Sequence, residues 1–334
     1  MVIITSPRFE EHVTPPGHPE RMERAHVFSA VAHRWMERGG ETMLPRPATR
    51  EELERVHDAG YLEDLAATAG RAVMLDADTY TSPESLEIAG LAAGAAVQAI
   101  EHAIDRHDPA FALVRPPGHH AERDRAMGFC LYNNAAVAAA AARARGVERV
   151  AIVDIDVHHG NGSQWMFYDD PSVLYISSHQ FPFYPGTGAA DEVGTGRGLG
   201  FTVNIPLEAG ATDVDYHLAY TSVVLPVLDQ FQPGLTIVSA GYDAHENDPL
   251  ASMRLSTEGY FGLVALLANA AAPPRALALL TEGGYDLSAL EACLLRSVDA
   301  IESGRGWNAP AGDGPRGARA VEKVRAAQSP YWRL

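Results

Sequence analysis

The chain has 334 residues, of which 46% are hydrophobic and 21% charged, a composition that excludes long disorder and allows a large buried core. Lys plus Arg number 26 against 43 Asp plus Glu, a formal charge of −17, which disfavours a nucleic-acid partner and favours cationic ones such as polyamines or Lys-rich peptides. The same charge also serves solubility alone. Cys130 and Cys293 cannot form a disulfide framework. The apolar run at residues 135–142 is too short to span a bilayer, and the start of the chain lacks a basic region followed by an apolar core. A cytoplasmic protein with no membrane partner is expected.

Short β-branched runs alternate with Ala-rich stretches. In chain order the pattern predicts a strand at 2–5, a helix at 19–38, and a helix at 83–105 with Ser82 as N-cap and Pro83 at its first position. A strand at 111–115, a helix at 134–145 closed by Gly146, and strands at 150–154 and 173–177 follow. A Pro- and Gly-dense loop at 181–200 leads to a further strand at 201–205, a helix at 213–231 and a strand at 235–240. A helix at 257–270, a strand at 276–281, a helix at 287–301 and a flexible run at 303–317 complete the chain. This alternation predicts a single α/β domain over 1–334 with a mostly parallel sheet.

Titratable residues cluster just after the predicted strands. His119 and His120 follow 111–115, Asp154, Asp156 and His158 end or follow 150–154, Asp243 follows 235–240, and Tyr285 follows 276–281. Ligands of open parallel sheets bind beyond the carboxyl ends of the strands. Continued strand periodicity would point Asp154, Asp156 and His158 the same way, and two carboxylates beside an imidazole call for a cation. Asp156, His158 and Asp243 would give three ligands with one position open, the pattern of a catalytic metal site. Alone, the stretch could also be a salt-bridged strand end, the less favoured reading. The histidine pair suits acid–base work, and Tyr285, after Gly283 and Gly284, could donate to a developing oxyanion. In isolation, though, each also suits simple packing.

Six segments occur in a telling order: Arg115-Pro116-Pro117-Gly118-His119-His120, Gly128-Phe129-Cys130, Asp154-Ile155-Asp156-Val157-His158-His159-Gly160-Asn161-Gly162, Tyr184-Pro185-Gly186-Thr187-Gly188, Ser239-Ala240-Gly241-Tyr242-Asp243 and Glu282-Gly283-Gly284-Tyr285. With Gly17-His18-Pro19-Glu20-Arg21 and the late Pro330-Tyr331-Trp332, they resemble the histone deacetylase and acetylpolyamine amidohydrolase family along essentially the whole chain. The resemblance implies an arginase-like α/β fold around an eight-stranded parallel sheet. It implies Asp156, His158 and Asp243 as zinc ligands, with iron(II) or cobalt(II) as other occupants of so hard a donor set. His119 and His120 become the catalytic pair, backed by Asp154 and Asn161, and Tyr285 steadies the oxyanion. Asn161 matches the class II branch, where another branch carries Asp. Gly128, Phe129 and Tyr184 become the acyl-lysine channel, and Asp154, Ser177 and the carbonyls of Asp156, His158 and Ser178 a structural potassium site.

The implied reaction is hydrolysis of an acetyl amide to acetate and a free amine. Leu250 stands where polyamine-selective relatives carry an acidic residue, so an acetyl-lysine peptide or protein is expected as substrate and an acetylated polyamine is the alternative. A non-catalytic acetyl- or metal-binding protein would have to lack one of these groups, and all are present. An arginase-type two-manganese site is disfavoured because Gly160 interrupts the required Asp-x-His-x-Asp repeat. A homo-oligomer is compatible with the sequence.

Overall fold

The β-branched runs fold as strands because each can be buried on both faces. In the computed structural model, which describes residues 1–271 and 275–334, the strands are β1 (Val2–Ile4), β2 (Glu41–Met43), β3 (Val73–Met74), β4 (Tyr80–Thr81), β5 (Ala110–Ala112), β6 (Val150–Asp154), β7 (Val173–Gln180), β8 (Thr202–Leu207), β9 (Leu235–Ala240) and β10 (Ala276–Thr281). Eight form one sheet in the order β2-β1-β5-β10-β9-β6-β7-β8, every pairing parallel. β3 and β4 make a separate small hairpin.

The helices are α1 (Glu23–Glu37), α2 (Arg50–Glu54), α3 (Ala59–Ala66), α4 (Ser85–Arg106), α5 (Asn134–Ala144), α6 (Asn161–Met166), α7 (Asp213–Ala219), α8 (Leu225–Phe231), α9 (Thr257–Ala270), α10 (Leu287–Ser303) and α11 (Pro315–Gln328). They cover both faces of the sheet. Val150 and Ile152 of β6 pack into a core with Ile88 and Ala92 of α4 and Ala135 of α5. Ala151 and Val153 point the other way, into a core with Phe28 of α1, Leu263 of α9, Leu294 of α10 and Val324 of α11. Each fully buried Val, Leu, Ile or Phe side chain contributes about 1.5–3 kcal/mol. The predicted α/β architecture with an eight-stranded parallel sheet is therefore the one formed.

Several boundaries differ from the sequence pattern, each for a local reason. β2 is short, polar and at the sheet edge, so it carries no strand signature. The strand expected at 111–115 ends at Ala112, because the Thr281 hydroxyl takes over the ladder, accepting from the Val114 N–H at 2.7 Å. α1 starts at Glu23, not at Pro19. α4 starts at Ser85, its N-cap Glu84 makes no side-chain cap bond, and Ser82 instead bonds the Ser85 hydroxyl at 2.9 Å. The helix expected at 213–231 contains a π segment, Tyr220–Val224, where the Leu225 N–H reaches the Tyr220 carbonyl. Pro226, two residues after it, cannot supply an ordinary helical N–H. α11 begins inside the run expected to be flexible, and Trp307 within that run packs edge-on to His217 with ring centroids 5.0 Å apart.

A buried imidazole joins the segment after α2 to the start of α5. His57 Nδ1 donates to the Glu122 carbonyl at 3.0 Å, while Nε2 accepts from the Asn133 N–H at 3.0 Å. Asn133 in turn caps α5 by accepting from the Ala136 N–H at 2.9 Å. Both ring nitrogens are satisfied only in the neutral form, and burial holds the His57 pKa down to about 4. The unfolded chain binds this proton below about pH 6.5, so the stabilisation is complete above that pH and is lost as pH falls towards 4. The urea midpoint should fall between pH 7.5 and 5.0, with His57 alone contributing about 2 kcal/mol of that loss. His57→Gln should flatten the dependence by that amount, and a variant with the wild-type slope would refute the assignment.

Candidate metal centre and active site

β5, β10, β9 and β6 are neighbours at the centre of the sheet, and all the titratable residues singled out above lie at or beyond their carboxyl ends. β6 stops at Asp154, so strand alternation does not align Asp154, Asp156 and His158 as the sequence suggested. Local hydrogen bonds link them instead. Asp154 Oδ1 accepts from the Asp156 N–H at 3.1 Å, and Asp156 Oδ1 from the His158 N–H at 2.9 Å, turns in which a carboxylate organises the backbone two residues on. Asp243 Oδ1 accepts from the Val157 N–H at 2.9 Å, and Asp156 Oδ2 from the Gly283 N–H at 2.8 Å. Glycines make room for these carboxylates: a Cβ on Gly241 would lie 2.0 Å from Asp156 Oδ2, and one on Gly283 2.1 Å from Asp243 Oδ2.

This arrangement fits a cation. His158 Nδ1 lies 3.1 Å from both Asp156 Oδ1 and Asp243 Oδ2, and one ligand atom from each of the three residues falls within 4.8 Å of the others. Burial and the charge on Asp156 push the Asp243 carboxyl up to about 7. His158 is carried up to about 10 by the same two carboxylates, against the opposing effect of burial. A group of this kind holds a positive charge at its centre, whether a proton or a metal. Two carboxylates and one imidazole suit zinc, iron(II) or cobalt(II).

The histidine pair stands beside it, ring centroids 4.0 Å apart. His119 Nδ1 bonds Asp154 Oδ2 at 3.0 Å, an oxygen that also accepts from the Tyr175 hydroxyl at 3.1 Å. His120 Nδ1 bonds Asn161 Oδ1 at 2.8 Å. Burial disfavours charge on both rings, but Asp154 and Asp156 outweigh it at His119, whose pKa is raised. At His120, burial and the cationic His119 and His158 act together and lower it. Neighbouring groups pushed in opposite directions can divide proton donation from proton acceptance.

Several residues not singled out from the sequence complete the site. Glu282 accepts from the Gly118 and His119 N–H groups at 2.6 and 3.1 Å and from the Ser239 hydroxyl at 3.0 Å, and burial pushes it up to about 7. Glu20 bridges two buried arginines, bonding Arg24 at 3.0 Å and Arg115 at 2.8 Å. Burial acts to raise the Glu20 carboxyl, yet Arg115 and Arg24 hold it at about 2. Arg24 also donates to the Gly284 carbonyl at 2.9 Å and lies 5.3 Å from the Tyr285 ring centroid. Glu20 belongs to a motif visible in the sequence, but only the fold carries that motif to the glycine turn before Tyr285.

Aromatic rings surround the entrance. Phe129, at φ 70°, packs edge-on to Tyr285 with centroids 5.9 Å apart and to His18 at 4.6 Å. Tyr184 meets His120 edge-on at 5.2 Å, and Phe183, unremarked in the sequence, stacks on His158 at 5.4 Å. A Cβ on Gly128 would lie 2.5 Å from the His120 ring. Leu250 and Tyr285 line one end of a cavity of about 510 Å³ formed with residues 13–19 and 21–23. Asp248 ties these two together, accepting from the Leu250 N–H at 3.0 Å through one oxygen and from the Tyr285 N–H at 2.7 Å through the other. Of the expected potassium ligands, Asp154 and Ser177 are directly paired across β6 and β7. The hydroxyls of Ser177 and Ser178 bond His179 at 2.9 Å and Tyr220 at 3.0 Å.

Single replacements Asp156→Ala, His158→Ala and Asp243→Ala should each release most bound divalent metal, because each removes one of three anchors. Gly241→Ala should do the same by displacing Asp156. Elemental analysis after gel filtration reads the outcome, and full metal content in all four variants would rule the centre out.

Residues 18–301 match the model of the histone deacetylase domain. A histone deacetylase-like amidohydrolase of Pseudomonas aeruginosa is 42% identical, over 78% of this chain and 70% of that protein. The polyamine deacetylase HDAC10 of Homo sapiens is 38% identical over 93% of this chain, which spans half of that longer protein. The crystal structure of the HDA15 HD domain superposes with a TM-score of 0.92 at 36% identity, covering 99% of this chain and 97% of that one. Taken with the shared fold and the buried Asp–His–Asp centre, these likenesses establish that the chain belongs to the histone deacetylase family.

Proposed function

We propose that this deacetylase works as a single domain on acetyl-lysine side chains of peptides or proteins, with zinc at the Asp156, His158 and Asp243 centre and potassium beside Asp154. The observation that carries the reading is the convergence of that centre with a histidine pair of opposed proton affinity and with Tyr285. A divalent ion there would supply Lewis acidity towards the acetyl carbonyl and towards water. His120, held neutral, takes the proton from the attacking water, while Asp154 and Asp156 offset the positive charge on His119. Tyr285 donates a hydrogen bond to the carbonyl oxygen as negative charge collects on it. A protonated histidine then delivers the proton to the departing amine. Phe129 and Tyr184 flank the acyl-lysine chain, and flat apolar walls suit its methylenes.

Acetylated polyamines form the second reading, favoured by the net charge of −17 and by the likeness to a polyamine deacetylase. Leu250 speaks for the peptide, since a half-buried apolar side chain at the rim offers a distal ammonium nothing to pair with. Steady-state kinetics on acetyl-lysine peptides, acetylspermidine and acetylputrescine should give the peptides the higher kcat/KM. Leu250→Glu should shift the ratio towards the polyamines by on the order of 1 kcal/mol, about fivefold, as a rim-exposed pair is weak. A wild type that already prefers polyamines would replace the peptide reading with the polyamine one. Tyr285→Phe should keep its fold and metal while turnover drops by about 10²–10³. Undiminished turnover would reduce the ring to packing.

A further inference from the structure

Asn161 can present either end of its amide to His120, and the amide itself does not choose. With Oδ1 towards the ring, Nδ1 carries the proton and Nε2 is free; with Nδ2 towards the ring, the tautomer reverses. In the structure Oδ1 faces His120 Nδ1 at 2.8 Å, and Nδ2 donates to Glu122 Oε1 at 2.6 Å. A carboxylate only accepts, so Glu122 admits the NH2 end of Asn161 and no other. Glu122 is itself fixed. Arg125 donates to the same oxygen at 2.9 Å, the Glu122 N–H bonds the Arg125 carbonyl at 3.0 Å, and the Glu122 carbonyl accepts from His57 at 3.0 Å.

We infer that Glu122 is a positioning residue for the deacetylation reaction, pinning the Asn161 amide so that His120 is held as the Nδ1–H tautomer with Nε2 presented to the substrate. The inference rests on the deacetylase reading of this site. A neutral residue behind His120 thereby still answers to a carboxylate, one residue removed. Glu122 touches neither substrate nor reacting atoms in this scheme; it acts through Asn161.

A double-mutant cycle separates this role from a merely structural one. Glu122→Ala frees the amide, and kcat on the preferred acetylated substrate should fall about ten- to hundredfold, the usual scale for such supporting partners, with KM and bound metal changing less than twofold. Asn161→Asp puts a carboxylate against Glu122 with no proton donor between them, and should also lose activity. An aspartate accepts from His120 with either oxygen and needs no director, so Glu122→Ala combined with Asn161→Asp should be faster than either single variant. Losses that simply multiply would overturn the inference, as would an undiminished kcat in Glu122→Ala. Ring ¹⁵N spectra of His120 in the metal-loaded protein provide a readout independent of turnover. Wild type should show a protonated Nδ1 and Glu122→Ala a substantial Nε2–H population; identical spectra would also overturn it. A wild type inactive on every acetylated amine would remove the deacetylase reading itself, leaving the spectra to decide the role of Glu122.

Discussion

Asp154, Asp156, Asp243 and Glu282 are wholly buried at the ends of three adjacent strands, and a negative charge taken out of water requires compensation close by. Most of the geometry around the site follows from that requirement. Backbone N–H groups from residues 118, 119, 156, 157, 158 and 283 turn towards these carboxylates. The loops therefore take their paths from the acids, not the acids from the loops. His119 and His158 supply further compensation, and a divalent ion would supply the rest.

A similar logic operates one layer out. Glu20, completely buried, is offset by Arg24 and Arg115, and this trio ties the segment before α1 to the glycine turn that carries Tyr285. Breaking such a group by removing one member leaves an uncompensated buried charge, which is far more damaging than its absence from the start. The arrangement is thus better understood as a positional lock than as a source of stability. It fixes where the N-terminal segment meets the site.

The central strands and the residues at their ends were legible in the sequence because two independent signals coincide there: β-branched runs, and side chains too polar to end a buried strand without a purpose. The three candidate metal ligands and both histidines converge where the strand positions suggested. Asp154 and Asn161 behind the histidines were named by the motifs, but the roles of the remaining supporting residues were not legible. Glu282 heads a motif visible in the sequence, but its partners Gly118, His119 and Ser239 are distant, as are Tyr285 from Asp248 and Asn161 from Glu122, and no local pattern marks such pairs. Phe183 was hidden by its neighbour Tyr184, since only the stacking on His158 distinguishes it. Turns rather than strand alternation bring Asp156 and His158 together, and Asp154 bonds His119 and Tyr175 instead. β2 and the π segment before Pro226 were missed because three polar edge residues and a one-residue change of helical register leave almost no trace in composition.

Asp248 has a consequence for how such an enzyme can diversify. Its two carboxylate oxygens hold Leu250 on the rim and Tyr285 in the interior, so the entrance and the Tyr285 backbone share one anchor. Insertions or turn changes at 248–250 that reshape the entrance also tug on the backbone of Tyr285. Side-chain exchanges at 250 leave this turn in place, whereas backbone remodelling there would be transmitted to Tyr285 through Asp248. Replacing the side chain at 250 is thus mechanically uncoupled from the interior, and changing the length of the loop that carries it is not.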